Sequence, residues 1–404
     1  MYEEEIIDTW RTAVPASHIA FYTLSPVLVL SILSTLNINV LGTKVKQVIS
    51  IPFLICLLVM PYRYRDFENS VFCIFCQVIS FTMFQRFIDI FLIHPVIYKK
   101  DAYISASEFN AELLFSIRAN NRHKPNDEKK VYLKSKKFYH LFPSIILNAI
   151  GYDIVVSWIK TFTSKDIFEM QKYHPIQTFL VCCSGIMLLT FTYNMFGKIM
   201  QLFYCILFDH GLYAPEEWRN MMETPIFGTS IEDVWSYRWH RILRPAWVSF
   251  AYKPVYFLVR EGTNKKPKYR LLAISLASLS VFIASGFTHE YAALCNAGWK
   301  IYSERFMGQQ IIFFGIQGLV IIMEKIIAIL LKPYLPSSFV NSPLALLLRH
   351  IYVLSVANWT FPYFINSFAH WGFYKLGNFT PLEPILRHYL ASTPFLRKYC
   401  GSNI

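Results

Sequence analysis

The stretch that decides the fold runs from Leu271 to Trp299 and reads LLAISLASLSVFIASGFTHEYAALCNAGW. It is apolar for more than three helical turns before His289, and it exceeds the roughly 20 residues that cross a bilayer core. A chain inside lipid must satisfy its backbone hydrogen bonds internally, and no alternation typical of a membrane β-barrel is seen. The stretch therefore predicts a membrane-spanning helix.

Similar apolar stretches lie on both sides of this one, and together they predict an all-α, polytopic transmembrane helical bundle with about eight or nine spans. The stretch from Pro175 to Phe208 outruns a bilayer and is expected to be tilted, broken or protruding. We expect one integral membrane domain over residues 1–404. The other predicted spans are Ile19–Leu41, a shorter run Val48–Pro61, Val71–Tyr98, Leu141–Ile159, Gln309–Leu331 and Pro343–Phe373, with Ala246–Val259 as a short additional segment.

The composition supports a membrane protein. Hydrophobic residues make up 54% of the chain and charged residues 16%, whereas soluble domains carry about a quarter charged residues. The net charge of +13 lies mainly in loops between apolar runs, where a cytoplasmic loop bias explains it. We therefore expect the lipid bilayer, and no nucleic acid, as a partner.

The charges also predict a topology. The basic loop 99–140 should be cytosolic, which places the acidic N-terminus in the lumen and a tag near Lys130 in the cytosol. Because Arg260 to Arg270 is also basic, Ala246–Val259 is predicted to re-enter rather than cross. Asn358 begins a formal glycosylation sequon inside an apolar run, so it should be unmodified.

His289 and Glu290 are the most informative polar residues, since ionisable groups at membrane depth are costly and often functional. The alternative interpretation is that they bond to neighbouring helices. The order HEYAA is not H-E-x-x-H, so no metal site is expected. Other polar residues in apolar runs are interpreted as structural: Cys73 and Cys76 as small packing residues, and the pairs Arg86–Asp89 and Glu324–Lys325 as structural pairing or snorkelling.

A second motif precedes the histidine helix. Pro225 to Gly228 reads PIFG, and Asp233 to Arg241 reads DVWSYRWHR. Trp235 and Trp239 are four residues apart, which would place them on one helical face. Tryptophan, tyrosine and arginine together suit a membrane interface. The segment is either an interfacial anchor or part of a catalytic loop.

The two motifs together resemble the membrane-bound O-acyltransferase superfamily, in particular its wax synthase-like branch. The matching residues are IFG at 226–228, DVWSYRWH at 233–240 and SGFTHE at 285–290, within a motif-bearing region 209–300. The resemblance implies catalytic roles for His289 and His240, although many relatives have asparagine at the position of His240. It also implies that the residues surrounding them bind substrate: Asp233, Trp235, Arg238, Trp239 and Glu290.

The chemistry implied is transfer of an acyl group from acyl-CoA, as co-substrate without any cofactor, to an alcohol. A neutral imidazole at position 289 can accept the alcohol proton, and His240 is the candidate donor to the oxyanion. Four arginines could meet the phosphates of CoA, although a positive-inside loop explains each of them equally well: Arg219, Arg238, Arg241 and Arg244.

Several functions stay open at this point. The wax synthase-like resemblance favours a long-chain alcohol, and a multispan enzyme that uses acyl-CoA is expected in the endoplasmic reticulum. One alternative is an acetyltransferase acting on a hydroxyl of a terpenoid or other secondary metabolite. A proton-coupled transporter and a silent scaffold are alternatives of other classes, and the absence of an internal repeat counts against the transporter. The oligomeric state has no signal in the sequence.

Overall fold

The computed structural model describes residues 11–66, 70–118, 135–372 and 380–404. These residues are mainly helical, with almost no sheet. Two short two-stranded ladders join β1 (Thr12–Ala13) to β2 (Tyr64–Arg65) in parallel and β3 (Lys136–Lys137) to β4 (Leu212–Tyr213) antiparallel. The helices, in chain order, are α1 Ala16–Thr35, α2 Thr43–Arg63, α3 Ser70–Ile88, α4 His94–Tyr98, α5 Ala106–Leu114, α6 Phe142–Ile159, α7 Ser164–Tyr173, α8 Pro175–Phe208, α9 Ile231–Asp233, α10 Arg244–Trp247, α11 Lys253–Gly262, α12 Arg270–Ala297, α13 Trp299–Arg305, α14 Gln309–Leu331, α15 Ser337–Val340, α16 Pro343–His370, α17 Glu383–Ser392 and α18 Pro394–Arg397.

Within the described ranges, eight helical segments are long and apolar enough to cross a membrane. The predicted all-α polytopic fold is therefore confirmed. The segments are Ala16–Thr35, Thr43–Arg63, Phe72–Tyr98, Phe138–Ile159, Pro175–Phe208, Pro267–Ala297, Gln309–Leu331 and Pro343–His370. The segment from Pro175 to Phe208 is one unbroken helix, about 50 Å long at 1.5 Å per residue.

The second span was predicted too short. Its helix begins at Thr43 rather than Val48, so Lys44 and Lys46 lie in its first turn. Lys46 is buried, and its Nζ donates to the carbonyl oxygens of Leu36 and, at 2.9 Å, Ala102. Because these carbonyl oxygens replace water as hydrogen-bond partners of the Lys46 ammonium group, this residue can be buried within the helix.

The basic loop 99–140 contains a helix, α5, that the sequence interpretation missed. It begins with a capping box: the Ser105 N–H donates to Glu108 Oε2 at 3.0 Å, and the Glu108 N–H donates to Ser105 Oγ at 3.2 Å. Residues 119–134 of the loop, including the position of the tag near Lys130, lie outside the described residues.

Two further segments differ from their predictions in detail. The short segment 246–259 is helical throughout, as α10, a π-helical turn Val248–Tyr252 and α11, and its predicted re-entry stays a prediction. The C-terminal stretch beyond residue 380 forms α17 and α18. The span predicted to end at Phe373 ends as a helix at His370.

The chain forms two compact units, each built from several stretches of sequence. The first comprises 1–109, 243–323 and 362–373. Its core lies where α1, α2 and α3 pack, around Leu30, Leu57, Phe87 and Phe91. In the same unit, Arg86 Nη1 lies 2.7 Å from Asp89 Oδ2, which confirms the predicted structural pairing of these two residues. Cys73 and Cys76 are buried beside Ile19.

The second unit comprises 110–242, 324–361 and 374–404. Its α6 and α8 pack so closely at Gly151 that a Cβ added there would lie 2.6 Å from the Phe191 ring. The α17 segment is fixed to α6 by Glu383, whose Oε2 lies 2.7 Å from Lys160 Nζ. The helices α14 and α16 contribute residues to both units.

Candidate active site

His289 lies in the unbroken helix α12, in the first unit. Its Nδ1 lies 2.9 Å from the carbonyl oxygen of Ser285, one turn earlier. A carbonyl oxygen can only accept a hydrogen bond, so the neutral imidazole carries its proton on Nδ1. The ring packs against Phe314, with 4.6 Å between centroids, and more loosely against Phe364. Nε2 therefore keeps its lone pair, which is the form that a general base requires.

The Ser285 hydroxyl is unusual for a helix in lipid. The residue is 3% exposed, and its Oγ has no hydrogen-bond partner within the part of the chain that the structure describes. Two comparable hydroxyls on α12 are satisfied: Ser280 donates to Ala277 O at 2.7 Å and Thr288 to Ala284 O at 3.1 Å. Residues four apart share a helical face, so Ser285 and His289 lie on the same side of α12.

Glu290 is directed to a neighbouring helix. It is buried, and its Oε1 accepts the backbone N–H groups of Gln310 at 2.9 Å and Ile311 at 3.4 Å. These amides belong to the first turn of α14, where no intrahelical acceptor exists. The alternative that the sequence left open, a bond to a neighbouring helix, is thus observed, and substrate binding by Glu290 stays a prediction.

Gly286 lets α12 and α14 approach at the level of the histidine. A Cβ built on Gly286 would lie 2.9 Å from Ile311 Cα, which is a backbone atom and cannot rotate away. On another side of α12, Trp247 donates from Nε1 to Thr288 Oγ1 at 3.2 Å. The SGFTHE turn is therefore packed tightly from two directions.

The DVWSYRWH segment, in the second unit, is organised around Asp233. Its Oδ2 accepts the Thr229 N–H at 3.0 Å and Arg238 Nε–H at 2.8 Å, and Ser230 Oγ accepts the Asp233 N–H at 2.9 Å. Burial raises the pKa of Asp233, but the bonds from Thr229 and Arg238 outweigh it and hold the pKa below its usual value. Asp233 is therefore a carboxylate at neutral pH.

The aromatic residues of this segment differ in geometry from the prediction. Val234–Arg238 is a π-helical turn rather than an α-helix, and the Trp239 backbone is already extended. The rings of Trp235 and Trp239 nevertheless contact each other, with centroids 4.8 Å apart. His240 follows and stacks on Tyr193 of α8, with centroids 4.2 Å apart. The turn thus sets the direction of the His240 ring.

Three of the four arginines expected at the CoA phosphates have partners inside the second unit. Arg219 donates to the carbonyl oxygens of Ser116, at 3.0 Å, and Phe115, and Arg238 is paired with Asp233. Arg241 donates to Tyr237 O at 3.4 Å. Arg219 and Arg238 therefore contribute to the shape of this segment, whatever their contact with substrate.

The expected site residues are divided between the two compact units of the chain. His289 and Glu290 lie in the first unit, with Ser285 as a neighbour that the sequence interpretation did not single out. The second unit holds the remaining site residues: Asp233, Trp235, Arg238, Trp239 and His240.

The fold and the site define a class, a multi-pass helical membrane protein with a histidine inside a span. Comparison with known proteins agrees with an acyl-transfer function. Residues 218–315 match the model of the membrane bound O-acyl transferase family, and this stretch contains both DVWSYRWH and SGFTHE. The match supports the membrane-bound O-acyltransferase superfamily. No curated protein matches the chain.

Proposed function

We propose that this protein is an acyl-CoA-dependent O-acyltransferase that esterifies the hydroxyl of a lipophilic alcohol. The observation that carries the proposal is the bond between His289 Nδ1 and the Ser285 carbonyl, which leaves Nε2 unprotonated inside a membrane span. An alcohol is a poor nucleophile at neutral pH and needs such a base as it attacks. The family match over 218–315 supports the same reaction class.

In the proposed reaction, His289 Nε2 accepts the proton of the alcohol while the alcohol oxygen forms a bond to the thioester carbonyl carbon. The carbonyl oxygen becomes an oxyanion. The C–S bond then breaks, the ester C=O reforms, and the imidazolium returns its proton to the sulfur of CoA. No net proton is consumed, so the histidine ends in the form in which it began.

The oxyanion needs a hydrogen-bond donor. We propose His240 for this role, because the resemblance places a polar residue there and relatives carry asparagine, which can also donate. The Ser285 hydroxyl is a second donor to substrate, since it shares a face with His289 and no described residue bonds to it. Substrate binding by Asp233, Trp235, Arg238, Trp239 and Glu290 rests on the resemblance.

The acceptor is proposed to be hydrophobic because His289 lies within a span, which a lipid alcohol can reach from the bilayer. A long-chain alcohol would place the protein in the wax synthase-like branch, and the endoplasmic reticulum is the proposed location. A preference for acetyl-CoA with a terpenoid alcohol would keep the mechanism and change the product class.

The test is His289→Ala in purified membranes given acyl-CoA and an alcohol, with free CoA and ester both measured. Loss of a positioned base lowers the rate by about 10²–10⁴-fold. His94→Ala is the matched control, because His94 also lies in a span but packs on Tyr98. Full activity of the His289 variant would remove the proposal. Wild-type solute uptake into proteoliposomes without CoA release would indicate the transporter instead.

A further inference from the structure

Glu324 is an acidic residue within the span α14, and its surroundings go beyond the structural pairing expected from the sequence. Its Oε1 accepts the N–H of Ile231 at 2.8 Å, and its Oε2 accepts the N–H of Glu232 at 3.1 Å. These amides open the helical stretch α9 and the π-turn that follows it, which together carry DVWSYR. All of these residues belong to the second unit.

The contact completes the capping of that helical stretch. The first N–H groups of a helix have no acceptor within the helix. Here Glu324 takes those of Ile231 and Glu232, and the Ser230 hydroxyl takes that of Asp233. A carboxylate at a helix N-terminus also interacts favourably with the helix dipole. One side chain from a different span therefore fixes where the motif helix begins.

Neighbouring side chains support the same anchor. The Tyr352 side chain of α16 interacts with the Glu324 carboxylate. His350, on the same helix, bonds through Nδ1 to the carbonyl oxygen of Gly228 at 2.9 Å, just before the motif helix. Lys325 Nζ lies 2.9 Å from Glu232 Oε1, but both side chains are partly exposed and such pairs contribute little.

The motif helix is short, so its start determines where its end lies. Only six residues, Asp233 to Arg238, separate the Glu324 contact from Trp239, and the Trp239 N–H closes the π-turn on Val234 O at 2.7 Å. His240 comes next and stacks on Tyr193. A shift at the Glu324 end acts on His240 through the π-turn and Trp239, the single residue between that turn and His240.

We propose that Glu324 is a positioning residue that fixes DVWSYRWH, and through it His240, for acyl transfer. The inference rests on the proposed function for its catalytic consequence, and on the bonds to Ile231 and Glu232 for its physical basis. Glu324 itself contacts backbone and Tyr352 rather than the reacting atoms. Misplacement of a group at a reacting centre by about 1 Å can lower the rate about 10²-fold.

The first experiment measures amide hydrogen exchange in the purified protein. Glu324→Ala should speed exchange in the peptide covering 229–241, while exchange in α6 stays at the wild-type rate. Lys325→Ala is the matched control, since it removes only an exposed pair one residue along. Unchanged exchange in 229–241 would contradict the anchor, and this result does not depend on any enzyme activity.

The second experiment measures kinetics. Glu324→Ala should lower kcat about 10–100-fold with little change in KM for acyl-CoA. Glu324→Gln should be milder, because its amide oxygen can still accept one of the two N–H groups. In a His240→Ala background, Glu324→Ala should lower kcat less than about twofold further, since both changes act through the same group. If the losses of kcat in Glu324→Ala and His240→Ala add in the double variant, Glu324→Ala causes a general folding defect, and the positioning role is overturned.

These outcomes separate the two proposals. A wild-type protein that transfers no acyl group refutes the proposed function, while the exchange result still decides the anchor. A wild-type protein that transfers acyl groups, with Glu324→Ala retaining full kcat, refutes the positioning role alone.

Discussion

At the residue scale, the structure adds the proton position to what the sequence predicts. The sequence identifies His289 because an imidazole beside a carboxylate in an apolar helix is costly. It does not show which nitrogen is free, since that depends on the rotamer that brings Nδ1 to the Ser285 carbonyl. It also does not separate His289 from Glu290, whose carboxylate caps α14.

Ser285 illustrates a residue whose unusual surroundings are visible only in three dimensions. In the sequence it is one of several serines in an apolar stretch. In the structure, Ser280 is bonded to Ala277 O, whereas the buried Ser285 hydroxyl has no partner among the described residues. A buried hydroxyl without a partner costs about 1–3 kcal/mol, which a bond to substrate would recover.

We therefore expect Ser285→Ala to lower kcat/KM about 10–100-fold, because a donor or acceptor to the substrate is lost. The same change should leave the thermal stability of the purified protein unchanged or slightly raised, since an unsatisfied polar atom disappears. Ser280→Ala is the control on the same helix and should retain activity. Equal activities of the two variants would show that the Ser285 hydroxyl does not meet substrate.

At the element scale, hydropathy predicts which segments are helices better than where they begin. Both ends of the span Gln309–Leu331 are predicted correctly, because polar residues mark its boundaries. The start of α2 is missed because Lys46 is buried against the carbonyl groups of Leu36 and Ala102, contacts that no local pattern encodes. The π-turn at 234–238 is missed for a similar reason, since tertiary contacts at both of its ends hold it.

The close approach of α12 and α14 gives a prediction at this scale. Gly286→Ala should destabilise the protein by about 1–3 kcal/mol, because the new methyl group meets the Ile311 backbone and the helices must separate. Acyl transfer should fall as well, since Phe314 of α14 packs on the His289 ring. The measurement is the thermal transition in detergent together with the rate of ester formation.

Gly315→Ala is the control for that prediction. It lies on α14 and faces the same helix pair, but its Cβ would meet only the Cδ1 of Ile283 at 3.5 Å, an ordinary contact. It should therefore be tolerated. If Gly286→Ala is as stable and active as Gly315→Ala, the two helices do not need their close packing for function.

At the scale of the whole molecule, the sequence predicts the fold class and a span count that agrees with eight candidate helices. It does not predict the two compact units, each assembled from three separate stretches. Hydropathy is a local property, whereas the division of α14 between the units depends on long-range packing. Glu324 falls in the second unit for that reason, and its link to the motif helix is invisible in the sequence.

The proposed reaction joins two substrates of opposite polarity, and this is its most demanding consequence. The phosphates of CoA cannot enter lipid, whereas the alcohol is expected to arrive from within the bilayer and reach His289 in its span. Burial of each CH₂ contributes about 0.8 kcal/mol, or about fourfold in affinity. Apparent affinity should therefore rise with alcohol chain length, up to the length that the site accommodates.

The most direct test is ester formation by the purified protein in a lipid bilayer, with labelled acyl-CoA and alcohols of increasing length plus one terpenoid alcohol. Both palmitoyl-CoA and acetyl-CoA are used, and CoA release is measured in parallel. The proposed mechanism predicts one CoA released per ester, a preference for lipid alcohols, and loss of both products in His289→Ala. Absence of ester with every lipid alcohol, or a preference for glycerol, sugars or amines, would contradict it.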